Sequence, residues 1–246
     1  MITLITGGAQ GIGFAIAERL AIQGGKLCLF DLNGAEQAAA KLGSDQAIGF
    51  DGDVTSDLDV DAAITKAIDT FGGLDCLVAA AGIVRVEPAL DVDPSNFERT
   101  LSVNVTGSFL AAQRSARYMA ENSGGSIVFL GSVYGEGGAP ERTSYCASKG
   151  AVHNMTRALA VEWGPLGIRV NAVAPTGVRT PMVQNLIDNG QYNMVGVQNR
   201  TPLGRLAEPS EVASAIAYLA SPEASMVNGV ILPVDGGWTA NGYTVG

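Results

Sequence analysis

Tyr145 and Lys149 are the side chains in this 246-residue sequence whose types and spacing best suit proton chemistry. They stand four residues apart in a segment with helical periodicity, so both side chains lie on one face of a helix. A free tyrosine has a pKa near ~10 and is a poor base at neutral pH. Because a neighbouring ammonium favours the phenolate, we expect Lys149 to bring the pKa of Tyr145 toward the working range. Ser132 follows a strand-like run and could hydrogen-bond a substrate hydroxyl or carbonyl.

A glycine-rich turn precedes the first helical segment and indicates a phosphate site. The run TGGAQGIG covers residues 6–13. Glycines permit a tight turn and a close approach of the backbone to a pyrophosphate, and a helix N-terminus offers free N–H groups. The generic GxGxxG pattern is not matched, since Ile16 occupies its last position. A turn with a purely structural role therefore stays open as an alternative.

Asp31 ends the second strand-like run, 18 residues after Gly13. A carboxylate at this position can accept hydrogen bonds from an adenosine ribose diol. The same charge repels the 2′-phosphate of NADP, and residues 8–10 and 32–34 contain no lysine or arginine to bind that phosphate. The sequence therefore predicts NAD rather than NADP as the cofactor. An aspartate that only caps local backbone is the alternative.

Short β-prone runs alternate along the chain with longer helical segments. This alternation predicts βαβ units and hence an α/β fold, a doubly wound parallel sheet of about seven strands with helices on both faces. We expect one domain over residues 1–246, with a lid over the substrate at about residues 176–208, where the alternation breaks down. The predicted strands are 2–6, 26–30, 47–50, 74–79, 126–130, 168–173 and 230–234, and the helices are 11–23, 35–42, 58–71, 96–120, 145–163 and 209–219.

Composition narrows the class of protein. With 47% apolar and 16% charged residues the chain is typical of a globular protein, and a formal charge of −9 argues against nucleic acid or anionic membrane surfaces as partners. No stretch approaches the ~18 apolar residues of a membrane helix, and no secretory signal is expected. Three widely spaced cysteines argue against a disulfide framework and favour a reducing cytoplasm.

Two other features suggest chemistry but have simpler interpretations. The acidic run at residues 51–61 invites a metal site, yet it spans a strand end and a helix start, where solvated carboxylates favour the helix dipole. We therefore predict no metal. His153 is the only histidine and has no second ligand nearby in sequence, so we expect a helix-surface or interface role for it.

Together these motifs resemble the classical short-chain dehydrogenase/reductase family over essentially the whole chain. The run TGGAQGIG is similar to that family's TGxxxGxG cofactor turn, and Ser132 with YCASK at residues 145–149 is similar to its Ser and YxxxK active-site signature. Asn104, in SVNVTGSF at residues 102–109, matches the asparagine that completes a catalytic tetrad in the family.

The resemblance implies a Rossmann-like fold and an enzyme that transfers a hydride between NAD and a secondary alcohol or ketone. Tyr145 would be the general acid/base, and Ser132 would orient the substrate oxygen. Lys149 would lower the tyrosine pKa and hold the nicotinamide ribose, while Asn104 would hold a water that links Lys149 to solvent. A homotetramer built from two long central helices and the C-terminal strand is also implied.

The resemblance further implies two sets of binding residues. The cofactor set is Gly7, Gln10, Gly11, Ile12, Gly13, Asp31, Asp53, Val54, Ala80, Gly82, Tyr145, Lys149, Pro175, Val178 and Thr180. The predicted substrate-pocket set is Val84, Val133, Tyr134, Glu141 and Thr176. Two family motifs depart here: Asn-Asn-Ala-Gly appears as residues 79–82, Ala-Ala-Ala-Gly, and Pro-Gly appears as Pro175-Thr176. The first departure removes asparagine amides, and the second introduces a side chain that could narrow the pocket.

The substrate stays open. Glu141, Arg142 and the Asn- and Gln-rich lid favour a sugar, a polyol or a cyclic alcohol. A 3-oxoacyl-thioester reductase acting on an acyl carrier protein is one alternative, although Asp31 and the few lysines argue against it. A protein that senses NAD without turnover is another, although this sequence keeps both Tyr145 and Lys149.

Overall fold

The computed structural model describes residues 1–242, and the last four residues of the predicted domain lie outside this description. Seven parallel strands form one sheet in the order β3-β2-β1-β4-β5-β6-β7. This confirms the predicted α/β fold with its Rossmann-like, doubly wound sheet. The strands are β1 (Ile2–Thr6), β2 (Lys26–Asp31), β3 (Ala47–Asp51), β4 (Cys76–Ala79), β5 (Gly125–Leu130), β6 (Ile168–Pro175) and β7 (Ile231–Val234).

Helices cover both faces of the sheet, so the inner strands are buried and their sequences read as nearly continuous apolar runs. One buried cluster packs α3, α5 and α6 against one face, and a second packs α1, α2 and α9 against the other. The helices are α1 (Gly11–Ile22), α2 (Ala35–Leu42), α3 (Asp57–Phe71), α4 (Pro94–Leu101), α5 (Ser108–Glu121), α6 (Thr143–Trp163), α7 (Pro181–Asp188), α8 (Met194–Arg200) and α9 (Pro209–Ala220).

One predicted helix is interrupted by a π-helical stretch in the structure. The segment predicted as a single helix at 96–120 consists of α4, a π-helical stretch at Ser102–Gly107, and α5. A π-helical turn inserts an extra residue into the helical ladder and often marks a functional position. Asn104 lies in this stretch.

The two ends of the region predicted as a lid are hydrogen-bonded to each other. Val178 and Ala207 form an isolated parallel bridge, in which Arg179 N–H donates to Ala207 O and Ala207 N–H donates to Gly177 O, both at 2.9 Å. Between them the chain forms α7 and α8. In the described part of the chain, no helix is both long enough and apolar enough to cross a bilayer.

The fold determines where a site can lie. β1 and β4 are neighbours, and the connections leave them in opposite directions, toward β2 on one side and β5 on the other. In open parallel sheets a crevice forms at such a switch point, outside the carboxyl ends of the strands. Residues just after β1, β2, β4, β5 and β6 therefore face one shared space.

Candidate active site

A cleft of about 660 Å³ occupies this crevice. Every residue of the predicted cofactor set, which includes Tyr145 and Lys149, lines this cleft, and so does Ser132. The cleft runs from the glycine turn and Asp31 at one end to Tyr134 and Tyr192 at the other.

The glycine turn is built for a close approach between backbones. Gly7 and Gly11 have φ of +66° and +56°, which favour glycine, and a Cβ on Gly7 would lie 2.8 Å from the backbone of Ala81. A Cβ on Gly13 would collide with the carbonyl oxygen of Gly7. Among the described residues, the side chain of Gln10 caps no amide of α1. The first turn of α1 therefore presents free N–H groups to the cleft, which fits a pyrophosphate.

Asp31 is half-buried at the end of β2 and has a local structural role in addition to its place in the cleft. Its Oδ2 accepts from Ala9 N–H at 2.9 Å, and its Oδ1 accepts from Leu32 N–H at 2.8 Å. The carboxylate therefore links the glycine turn to the second strand. Each oxygen retains a lone pair, so these contacts leave it able to accept from a ribose diol.

The acidic run beyond β3 is engaged by protein groups. Asp53 accepts from Thr55 Oγ1 at 2.7 Å and from Arg99 Nη2 at 3.2 Å, and Asp59 accepts from Asp53 N–H at 2.9 Å. Arg114 pairs with two further carboxylates of α3. Within residues 1–242 no cluster of three His, Cys, Asp or Glu side chains is placed to hold a metal ion.

Ser132 and Tyr145 meet across the cleft. Ser132 begins the short turn after β5, where its Oγ accepts from Tyr134 N–H at 3.2 Å, and both Ser132 and Tyr145 line the cleft. Burial raises the pKa of Tyr145 to about 12, although the nearby Ser132 hydroxyl opposes that shift. The sequence predicts that Lys149 brings the pKa of Tyr145 toward the working range, whereas burial sets the direction of the shift and Lys149 is not among its causes. Tyr145 is a phenol at neutral pH, suited to donate a proton.

Lys149 lies below the tyrosine. Its Nζ is 5.5 Å from the ring centroid of Tyr145 and donates to Leu130 O at 2.7 Å. Burial lowers the pKa of Lys149 to about 8. The ammonium is held by the carbonyl end of β5, and its remaining N–H groups can donate into the cleft.

Asn104 is buried in the π-helical stretch and does not line the cleft. Its Nδ2 donates to Ile83 O and Ser148 Oγ, both at 2.9 Å, and its Oδ1 accepts from Ile83 N–H at 2.8 Å. A Cβ on Gly82 would lie 3.2 Å from Asn104 Oδ1 and 3.8 Å from Lys149 Nζ. Asn104 therefore fixes the segment after β4 beside the lysine.

Residues 79–82 are Ala-Ala-Ala-Gly where the family has Asn-Asn-Ala-Gly, and here backbone amides form the hydrogen bonds to the end of β1. Ala80 N–H donates to Thr6 O and Ala81 N–H donates to Thr6 Oγ1, both at 3.2 Å. The segment is thus held against the glycine turn without asparagine amides.

The substrate end differs in part from the prediction. Val84, Tyr134 and Thr176 line the cleft, whereas Val133 and Glu141 do not. Val133 points into the core because it follows the cleft-facing Ser132 in a tight turn, and Glu141 is exposed with φ of +60°.

Arg142 and Tyr192 line this end and were not in the predicted pocket set. Arg142 Nη2 donates to Gln191 O at 2.8 Å, which links the start of α6 to the segment between α7 and α8. Burial raises the pKa of Tyr192 to about 12, so the hydroxyl stays protonated. Helix α7 contributes further wall residues: Met182, Val183, Asn185 and Leu186.

The other polar residues of the lid have local roles. Asn189 donates to Asn185 Oδ1 at 3.1 Å, and Asn193 Oδ1 accepts from Gly196 N–H at 2.8 Å to cap α8. Asn193 therefore caps a helix, whereas Asn185, which accepts from Asn189, also lines the cleft.

His153 also departs from its prediction. The structure buries its ring, with 1% exposure, beneath the turn that carries Ser132. The groups around the ring belong to the turn after β5, which is distant from His153 in sequence.

Comparison with known proteins agrees with this geometry. Residues 7–239 match the profile of a family described as enoyl-(acyl carrier protein) reductase. The chain is 42% identical over 243 residues to 2-(S)-hydroxypropyl-CoM dehydrogenase 3 of Xanthobacter autotrophicus, covering 96% of this chain and 95% of that protein. It is 39% identical over 242 residues to D-threitol dehydrogenase of Mycolicibacterium smegmatis, covering 97% and 92%.

A solved structure gives the same result. The 3-ketoacyl-(acyl-carrier-protein) reductase from Brucella melitensis, crystallised with NADH, superposes with a TM-score of 0.91 at 36% identity, covering 96% of this chain and 97% of that chain. These matches define an oxidoreductase of the alcohol dehydrogenase type that uses a nicotinamide cofactor. The chain belongs to the short-chain dehydrogenase/reductase family.

Proposed function

We propose that this protein is an NAD-dependent dehydrogenase that interconverts a secondary alcohol and a ketone, with Tyr145 as the general acid/base. The observation that carries the proposal is one continuous cleft, in which a glycine turn and Asp31 lie at one end and Ser132, Tyr145 and Lys149 beyond them. NAD, when bound, supplies the two-electron hydride acceptor. The free N–H groups of α1 and the close backbone approach at Gly7 fit its pyrophosphate.

The side chains of the cleft hold the substrate oxygen, transfer its proton and bind the cofactor. Ser132 hydrogen-bonds the substrate oxygen and holds it beside the Tyr145 hydroxyl. Because Tyr145 is protonated at neutral pH, it donates its proton to a carbonyl oxygen in the reductive direction and must lose that proton to oxidise an alcohol. Lys149 donates from below to the nicotinamide ribose, and Asn104 holds the segment after β4 and a water that connects Lys149 with solvent.

Tyr145→Phe tests this assignment. We expect the variant to lose NAD-linked turnover of secondary alcohols while the Kd for NADH, measured by fluorescence titration, stays within about twofold. Tyr218→Phe is the matched control and should turn over alcohols normally, since Tyr218 is exposed on α9 and does not line the cleft. Normal turnover by Tyr145→Phe would refute the assigned role.

NAD is proposed over NADP because Asp31 lies where a 2′-phosphate would have to fit. The NADH complex of the Brucella melitensis relative supports a site of this kind. Asp31→Ser should improve NADP binding and weaken NAD binding. Asp69→Ser removes the same charge from an exposed position on α3 and should leave both Kd values unchanged. Tighter binding of NADP than NAD by the wild-type protein would contradict the proposal.

The proposed substrate is a sugar, a polyol or a cyclic alcohol. Arg142, Tyr192, Thr176 and Tyr134 surround the substrate end with hydrogen-bonding groups suited to a second hydroxyl. The likeness to D-threitol dehydrogenase supports a polyol. Oxidation of a panel of polyols, sugars and cyclic alcohols with NAD tests the class, and turnover of simple apolar alcohols alone would argue against it.

Reduction of a 3-oxoacyl thioester is the second candidate, favoured by the matched family profile and by the Brucella melitensis structure. Adding acetoacetyl thioesters to the same panel with NADH separates the two. A protein that senses NAD without turnover is the third, and it requires that no member of the panel react.

We also propose a cytoplasmic homotetramer. Cys28, Cys76 and Cys146 are free thiols, as expected in a reducing compartment. Val161 on α6 is 80% exposed, which fits a helix that packs against another copy through its outer face. Light scattering coupled to gel filtration tests the assembly, and a mass near the 25.2 kDa of one chain would refute it.

A further inference from the structure

The ring of His153 fills a slot directly beneath the turn that carries Ser132. A Cβ on Gly131 would lie 2.6 Å from His153 Nε2, and a Cβ on Gly135 would lie 2.6 Å from Nδ1. Neither glycine has a positive φ, so it is the imidazole, not the backbone conformation, that requires glycine at both positions. His153 is 1% exposed and lies behind the turn that carries Ser132, outside the cleft.

The two ring nitrogens face different groups. Nε2 accepts from the backbone N–H of Ser132 at 3.5 Å. An acceptor nitrogen carries no proton, so in the neutral ring the proton is on Nδ1. Nδ1 is buried without a hydrogen-bond partner among the described residues and points toward Glu136, whose Oε1 is 3.9 Å away.

We propose that neutral His153, in its Nδ1–H form, positions Ser132 for the substrate oxygen, and that protonation of Nε2 withdraws this support. The inference rests on the role proposed for Ser132. His153 touches neither cleft nor substrate, so it is a positioning residue. Protonated Nε2 would direct an N–H at the N–H of Ser132, and two donors that face each other cannot share a hydrogen bond. The turn must then shift, and the Ser132 hydroxyl with it.

The charges around the ring favour the neutral form. Burial lowers the pKa of His153 below the ordinary value of 6.5, Glu136 from the turn after β5 opposes this shift, and Arg157 and Lys149 on α6 add to it. Glu136 also lies 3.7 Å from Arg157 Nη2, and its side chain is 54% exposed, so its attraction for a protonated ring is shared and screened. The ring is therefore neutral at neutral pH and becomes charged only in acid.

Nuclear magnetic resonance tests the tautomer without any substrate. His153 is the only histidine of the chain, so untagged protein labelled with ¹⁵N-histidine gives the signals of one ring. We expect the Nδ1–H form at pH 7.5 and a titration midpoint below 6.5. The Nε2–H form, or a midpoint at or above 6.5, would overturn the proposal.

Two variants separate positioning from packing. His153→Phe keeps a flat ring but removes the acceptor, and should lower kcat by ~10-fold, since one hydrogen bond to the Ser132 turn is lost. His153→Gln can place an acceptor near the Nε2 position and should restore kcat to within about threefold. The Kd for NADH should stay within about twofold in both.

The pH profile adds a readout that packing alone does not move. In ketone reduction, where Tyr145 acts in its protonated form, we expect kcat of the wild-type enzyme to fall in acid, and that acid limb to be missing in His153→Gln. If His153→Phe retains wild-type kcat and acid limb, the proposal fails while Tyr145→Phe still decides the proposed function. If His153→Phe does not fold, the tautomer measurement and His153→Gln decide the matter.

Discussion

Replacing Gly7 with alanine is a sharp test of the cofactor turn. Gly7 has φ of +66°, a conformation that costs other residues roughly 1–2 kcal/mol. A Cβ would also lie 2.8 Å from both Cα and N of Ala81, which is backbone held by β4 and cannot rotate away. Overpacking of this kind costs ~1–3 kcal/mol. Together the two effects predict a loss of ~2–5 kcal/mol in the free energy of unfolding for Gly7→Ala.

Gly24→Ala is the matched control. Gly24 has φ of +80°, yet no described atom lies within 4 Å of a Cβ built there. Only the backbone strain remains, so we expect a loss of ~1–2 kcal/mol. Gly24 lies beyond the far end of α1 and does not line the cleft, so NADH binding should be unchanged.

Urea unfolding of the nucleotide-free protein and fluorescence titration with NADH measure the two effects. The Kd of Gly7→Ala for NADH should rise by at least about tenfold, because the turn must move away from β4 and carry the first amides of α1 with it. Equal losses of stability in the two variants, or an unchanged Kd in Gly7→Ala, would refute the reasoning.

Three further predictions concern Tyr145, Lys149 and Arg142. Alcohol oxidation should speed up as pH rises above neutral. The reason is that burial raises the pKa of Tyr145 to about 12, so the deprotonated fraction of Tyr145 grows with pH. A kcat/KM profile that is flat between pH 7 and 10 would contradict this. Burial lowers the pKa of Lys149 to about 8, so between pH 8 and its ordinary value of 10.5 the unfolded chain binds more protons and stability rises with pH. Lys149→Met should abolish about 3 kcal/mol of this rise, measured by urea unfolding. Arg142→Gln removes the hydrogen bond to Gln191 O and should raise KM for the alcohol about fivefold, with the Kd for NADH unchanged. An unchanged KM would exclude a role for this hydrogen bond in substrate binding.

The sheet and the cofactor turn were predictable because their sequence signals are local. Buried parallel strands require uninterrupted apolar runs, so the predicted strand at 2–6 coincides with β1, and the others differ at their ends by one or two residues. The glycine turn is predictable because positive φ and close backbone approach both demand glycine.

Features that depend on packing between distant segments were not predictable. Helical periodicity over six residues cannot distinguish the π-helical stretch around Asn104 from an α-helix. At the substrate end, adjacent residues exchange roles: Arg142 faces the cleft and Glu141 faces solvent, because the positive φ of Glu141 turns the chain just before α6. The sequence predicts a helix-surface or interface role for His153, whereas its ring is buried. The glycines that form its slot lie about twenty residues away in sequence, so no local signal indicates them.

Transfer of a deuterium label tests the central claim most directly. A secondary alcohol that the panel identifies is labelled with deuterium on its carbinol carbon and incubated with NAD and the enzyme. The account predicts one deuterium in each NADH formed, and no transfer by Tyr145→Phe although that variant still binds NADH. Ketone formed without deuterium in the NADH, or undiminished transfer by Tyr145→Phe, would contradict it.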